Sequence, residues 1–223
     1  MEKIDVVIIG AGIAGIASAY YLKKKIPNLT FKIIESRGNV GGTWDQMNFP
    51  GVRADNDMYT YGFSFDKWKG SIIGNGQEIK NYLVKVTEKF NIKKYILFNT
   101  EVISLSWKGN QWIINTNSKK FTSQYVICCT ESRDRKKPHL PKFKNQKQYQ
   151  GKIVHTQAWG NTDFREKNVT IVGSGCTAIT MAPSIIKEAK KVTLVQRSPA
   201  WIVNIDSQEK STRSYKTFQV LWD

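Results

Sequence analysis

The chain has 223 residues, 40% of them hydrophobic and 12% aromatic, enough to bury a core and too apolar for a disordered polymer. Its 34 basic and 18 acidic residues leave a charge of +16, but the excess is lysine scattered along the chain without a nucleic-acid-binding motif, which argues for a solvated basic surface and against a DNA or RNA interface. Three cysteines without disulfide spacing and two histidines without a CxxC argue against a disulfide framework and a metal site, and for a reducing, cytoplasmic setting.

From the N-terminus, Ile4 to Ile9 is an unbroken apolar run, the pattern of a strand buried in a parallel sheet. The turn GAGIAG follows at 10–15. Gly10, Gly12 and Gly15 give a tight bend, room for backbone to approach a pyrophosphate, and close packing of the helix that begins there. The charge-free stretch from Val6 to Leu22 is better explained by this strand, turn and buried helix than by a membrane span or a signal peptide. Phe31 to Ile34 reads as the second strand, and Glu35 stands at its end, 20 residues past Gly15, where a carboxylate takes ribose hydroxyls.

Residues 37–65 are rich in glycine and aromatics and show no periodicity; a loop of this length in a compact domain is usually functional. Gly41 and Gly42 are placed to let backbone lie against a cofactor, Trp44, Phe49 and Tyr59 to wall a flat ring, and Arg53 and Asp55 to form a charge pair. Residues 77–91 carry apolar side chains at helical spacing. Strand-like segments follow at 95–98, 101–107, 111–116 and 124–129, with a hairpin turn at Gly109–Asn110 and with Cys128 and Cys129 expected in the core.

A polar, proline-containing stretch at 131–148 reads as a linker. Beyond it, Val169 to Val172, the turn GSGCTA at 173–178, a helix running to about Ala189 with Pro183 inside it, and Val192 to Val195 repeat the first unit. Gly10 to Glu35 is 25 residues and Gly173 to Arg197 is 24, so Glu35 and Arg197 are expected at equivalent strand ends. An acid suits free ribose hydroxyls and an arginine suits a 2′-phosphate, so the first turn fits FAD or NAD and the second NADPH. The expected fold is α/β: a Rossmann-like FAD-binding domain with a small antiparallel insert over 1–130, a linker over 131–160, and an incomplete Rossmann-like NADPH-binding domain over 161–223.

With these motifs the chain resembles the flavin-containing monooxygenases, and within them the Baeyer–Villiger monooxygenases. The stretch between the two turns matches the family's pattern of aromatic, x, Gly, three residues, His, three residues, Trp as Tyr149, Gly151, His155 and Trp159. The run from Gly41 to Phe65 is similar to the flavin loop of the ethionamide-activating branch. The resemblance implies FAD on Gly10, Gly12, Ala14, Gly15, Glu35, Thr43, Trp44, Asp45, Gln46, Asp55 and Val102. It implies NADPH on Arg53, Ala54, Asp55, Gly173, Ser174, Gly175, Cys176, Thr177, Ala178, Ile179, Arg197 and Ser198.

Asp55 is similar to the family's carboxylate that orients an arginine beside the flavin, an arginine with no candidate in this chain. His155 and Trp159 resemble the pair that couples nicotinamide binding to domain movement. The implied chemistry is hydride transfer from NADPH to FAD, uptake of O₂ as a flavin C4a-peroxide, and oxygen insertion into a ketone or transfer to a sulfide. Full-length relatives are about twice this size, so the chain resembles an N-terminal part. The alternatives are a non-catalytic remnant, one half of an enzyme completed by a second chain, and an N- or S-oxygenating flavin monooxygenase, which Trp159 disfavours. Glu131 departs from the family pattern by placing a charge where backbone passes the cofactors.

Overall fold

The computed structural model describes residues 1–131, 138–198 and 200–202. The basic run at 133–137, part of the expected linker, and the chain from 203 onward, part of the expected NADPH-binding domain, lie outside the described residues. The chain forms two compact units, one of Met1–Gln46 with Ile79–His139, the other of Met47–Glu78 with the chain from Leu140 onward. The boundary expected at 130 is therefore not a single cut, because the segment 47–78 belongs with the C-terminal unit.

In the first unit β1 (Glu2–Ile9) leads through Gly12 into α1 (Ile13–Lys25), and β2 (Phe31–Ile34) pairs with β1 in parallel. α1 ends on Lys23, Lys24 and Lys25, cations at the negative end of the helix dipole. The sheet continues with β3 (Ile96–Leu97), the hairpin β4 (Val102–Lys108) and β5 (Gln111–Thr116), and β6 (Lys120–Cys128), in the order β3-β2-β1-β6-β5-β4. Gly109 and Asn110 both have positive φ, as a two-residue hairpin turn matched to the strand twist requires. The antiparallel insert is thus present as β4–β5, and β6 joins it to β1 in one sheet.

Ile4, Val7, Ile34, Ile114 and Phe121 form the core on this sheet. The helix expected at 77–91 runs over Gly76–Lys89 and, labelled α4 because two short helices precede it, buries Ile79, Leu83 and Val86. Burial on β6 corrects the expectation for the cysteines. Phe121, Thr122 and Ser123 are buried at its start, whereas Tyr125 and Cys128 are exposed and Cys129 is half-buried. Apolar sequence sets strand propensity; burial depends on what packs over each position.

The two short helices, α2 (Thr43–Gln46) and α3 (Met58–Tyr61), lie in the segment expected to be irregular. In the second unit β7 (Asn168–Val172), α5 (Cys176–Ile185) and β8 (Lys191–Val195) form a parallel two-stranded βαβ unit. α5 stops at Ile185, short of the expected Ala189. Pro183 sits inside α5 with no amide for the Ile179 carbonyl, and beyond Ile185 the chain goes on in turns. Phe49, expected beside a cofactor ring, is instead 7% exposed in a cluster with Ile171, Ala178, Met181 and Ile185. Its apolar ring fills the space that the short helix and two strands leave open.

Candidate functional site

The two glycine turns share one backbone design. Gly10 and Gly173 have φ of +104° and +119°, a region open to glycine and strained for other residues. Gly10 N donates to the Ile34 carbonyl at 2.8 Å, and Gly173 N donates to the Val195 carbonyl at 2.8 Å. Gly12 and Gly175 then open α1 and α5 in extended conformation without a side-chain cap. Glycine supplies no side chain to cap the first-turn amides, the arrangement a pyrophosphate cradle uses, and in α5 the Ala178 amide donates to the Gly175 carbonyl at 2.9 Å. At Gly15 an added Cβ would overlap the Gly10 carbonyl oxygen, so the close packing of α1 on its turn depends on glycine.

Strand register then corrects the expected equivalence of Glu35 and Arg197. Ile9 pairs with Ile34, and Val172 pairs with Val195, each pair sitting just before its glycine turn. The residue after Val195 is Gln196, so Gln196 is the counterpart of Glu35, and Arg197 follows one position later. Counting from glycine to charge missed this because the two connections differ in length by two residues. The electrostatic contrast survives: the first strand end carries a buried carboxylate, the second a neutral amide next to an exposed guanidinium.

Glu35 is 5% exposed and held from two sides. Ala11 N donates to its Oε2 at 2.8 Å, and Arg37 N to its Oε1 at 2.9 Å. A carboxylate offers about four lone-pair sites, so acceptor capacity remains for ribose hydroxyls. Thr43 donates its hydroxyl to Glu131 Oε1 at 3.1 Å, which gives the unusual charge at 131 a role in holding α2. Asp45 is 2% exposed at its side chain and lies against Arg37 and Lys80. Trp44 and Gln46 are half-buried, Ala14 is exposed on α1, and Val102 begins β4. Sequence reasoning missed Arg37 and Lys80 as parts of this site. Arg37 was readable as a cation two residues past Glu35; Lys80 had no local signal.

In the second unit Ala54 is buried, and its amide donates to the Gly74 carbonyl at 2.8 Å, while Arg53 pairs through its backbone with Asn75. Asp55 meets Cys176 at the first turn of α5. The Cys176 thiol donates to the Asp55 carboxylate, and that bond, ahead of burial, holds the thiol above its ordinary range. Ser174 Oγ donates to the Ser198 carbonyl at 3.2 Å and ties the turn to the end of β8. Thr177, Ala178 and Ile179 lie in the first turn of α5, with Ala178 buried. Tyr59 is half-buried and donates its hydroxyl to the Gly70 carbonyl at 3.0 Å.

The stretch from Tyr149 to Trp159 also lies in the second unit. The end of the exposed Tyr149 ring lies over Gly151, where an added side chain would displace it. His155 is half-buried and accepts the Gln157 amide on Nδ1 at 3.1 Å. Trp159 packs on the cluster around Ile171 and Met181, with the Phe164 ring 6.2 Å away. His139 is exposed. Among the described residues no group of three potential ligands gathers to hold a metal, and no helix is long and apolar enough to cross a membrane.

The family pattern described as pyridine nucleotide-disulphide oxidoreductase matches residues 7–218. The chain belongs to that family. Within it, the chain is 42% identical over 218 residues to a probable FAD-binding monooxygenase, AlmA, of an Acinetobacter species, covering 93% of this chain and 44% of the relative. It is 36% identical over 212 residues to the FAD-containing monooxygenase EthA of Mycobacterium tuberculosis, covering 91% and 43%. The resemblance to flavin monooxygenases read from the motifs is thereby shown. Among solved structures, an oxidised steroid monooxygenase bound to NADP superposes with a TM-score of 0.79 at 26% identity, over 98% of this chain and 45% of that one. A cyclohexanone-bound cyclohexanone monooxygenase gives 0.82 at 25% identity, over 99% and 45%. The chain spans less than half the length of these relatives.

Proposed function

We propose that this chain binds FAD at the Gly10 turn and NADPH at the Gly173 turn, and carries the two dinucleotide sites of a Baeyer–Villiger-type monooxygenase that oxygenates a ketone or a sulfide with O₂. The observation that carries the cofactor assignment is the repeated turn with different strand ends: Glu35 at the first, Gln196 followed by Arg197 at the second. The Tyr149–Trp159 stretch supports the Baeyer–Villiger assignment and favours ketones over the amines and sulfides of the N- and S-oxygenating group. The FAD part is assigned to 1–130, the fingerprint to 131–160 and the NADPH part to 161–223, with 47–78 contributing Arg53, Ala54 and Asp55 to the nucleotide side.

When bound, NADPH supplies a hydride and FAD supplies the chemistry that activates oxygen. The protein residues bind and orient. Glu35 takes the ribose hydroxyls through acceptor sites left open by Ala11 and Arg37. The uncapped amides after Gly12 and Gly175 face the pyrophosphates. Arg197 takes the 2′-phosphate, and Gln196 removes the carboxylate that would repel it. Asp55, beside Cys176, His155 and Trp159 act as positioning groups.

A second reading, in which a further polypeptide packs on the two-stranded sheet, is favoured by Val172 and Val195, which stand 62% and 47% exposed there. The test is purification with flavin absorbance, NADPH consumption and oxygen uptake on ketones and sulfides. Stoichiometric flavin with NADPH-dependent oxygen uptake supports an active chain. Flavin without turnover supports the split or remnant readings, and no flavin sinks the FAD assignment.

A further inference from the structure

One buried carboxylate joins three segments of the first unit. Asp45, on α2, accepts from Arg37 Nε at 2.7 Å and from Lys80 Nζ at 2.8 Å, and Arg37 Nη2 also donates to the Asp45 carbonyl at 3.2 Å. Arg37 comes from the turn after β2 and Lys80 from α4. The Asp45 side chain is 2% exposed against 40% and 29% for its partners, so the acid is sealed in and the cations reach it from the surface.

The seal is tied to the dinucleotide turn. Gly41 N donates to the Ala11 carbonyl at 3.1 Å, and an added Cβ at Gly41 would stand 3.1 Å from Asp45 Cβ. On the other side, the Arg37 amide donates to Glu35 Oε1, and Ala11 N donates to Oε2. A continuous run of bonds therefore leads from Lys80 through Asp45, Arg37 and Glu35 to Ala11. Of the two amides that aim Glu35, one belongs to Arg37, which Asp45 binds, and the other to Ala11, whose carbonyl accepts from Gly41.

We propose that Asp45 is a positioning residue for the adenosine end of FAD, acting through Arg37 and Lys80 on Glu35 and the glycine turn, and not by contact of its carboxylate with the cofactor. The inference rests on the reading of the first turn as the FAD site. Without the charge at Asp45, Arg37 and Lys80 repel each other across a neutral group, the turn at 36–38 loosens, and Glu35 loses one of its two aligning amides. The loss falls on ligands that carry the adenosine diphosphate moiety, whichever flavin they bear.

The test measures FAD by flavin fluorescence, ADP by competition, and NADPH, all on the full 223-residue chain. Asp45→Asn is expected to raise Kd for FAD and for ADP together by about tenfold, the weight of one charge-assisted hydrogen bond, and to leave NADPH within about twofold. Arg37→Gln is expected to repeat the loss, and Arg37→Lys, which keeps a cation against Asp45, to recover most of it. Unchanged FAD and ADP affinity in Asp45→Asn overturns the positioning role and leaves the site assignment standing. A wild-type chain that binds neither FAD nor ADP overturns the site assignment and the inference with it. If Asp45→Asn does not fold, the Arg37 pair decides: equal FAD and ADP affinity for Arg37→Gln and wild type at equal far-UV circular dichroism overturns the proposal.

Discussion

Gln196 stands in the second unit where Glu35 stands in the first. Each follows the strand residue whose carbonyl accepts the amide of the turn glycine, Ile34 for Gly10 and Val195 for Gly173, both at 2.8 Å. At this matched position the two glycine turns differ by a carboxylate against an amide. A neutral amide in place of a carboxylate removes the repulsion that a 2′-phosphate would meet, and Arg197 at the next position adds the attraction.

That relationship predicts a split between two substitutions. Arg197→Ala is expected to weaken NADPH binding by at least about tenfold while changing NADH little, because only the 2′-phosphate bond is lost. Gln196→Glu is expected to weaken NADPH and favour NADH, since the new acid suits free ribose hydroxyls. Titration calorimetry with both dinucleotides checks this, and equal losses for NADPH and NADH in Arg197→Ala would contradict it.

Gly15→Ala is expected to destabilise the protein by about 1–3 kcal/mol and to abolish flavin retention, because the added methyl meets the Gly10 carbonyl at the point where α1 packs on its turn. Chemical denaturation and the flavin-to-protein absorbance ratio read the two effects. Full flavin occupancy in Gly15→Ala would show that the turn tolerates displacement.

Phe49→Ala is expected to cost about 3–5 kcal/mol in stability, the range for emptying a buried aromatic site, since the ring is packed among Ile171, Met181 and Ile185. A ring that walled the flavin would instead give near-normal stability and a shifted flavin spectrum. Urea denaturation alongside the visible spectrum separates the two.

Asp45 also gives the first unit an acid limit. Burial pushes its carboxyl up, yet the hydrogen bonds from Lys80 and Arg37 outweigh burial and hold it below the ordinary value of 3.8. Because the folded value is the lower one, the ion pairs contribute fully above the unfolded value and are lost as pH falls through the folded value. The stability gap between wild type and Asp45→Asn is therefore expected to be largest above about pH 4 and to close as the acid range is descended. Denaturation curves for the pair from neutral to acid pH check the sign; a gap that widens toward low pH would refute it.

The sequence by itself determined the parts whose signal is local. The apolar run from Ile4 to Ile9, the glycine turns at 10–15 and 173–178, β2 with Glu35 at its end, and the Gly109–Asn110 hairpin each follow from backbone geometry and short-range pattern, which neighbouring residues decide. Only the tertiary structure decided what meets across the chain. It placed Gln196 opposite Glu35's role, since register and not residue counting aligns two strands, and it turned Phe49 into core because the short second unit had a gap to fill. It brought Lys80 to Asp45 across 35 residues, a contact set by the packing of α4, a helix whose own sequence carries only its buried stripe. Local pattern fixes which elements form; desolvation and pairing of side chains distant in sequence fix which of them build the site.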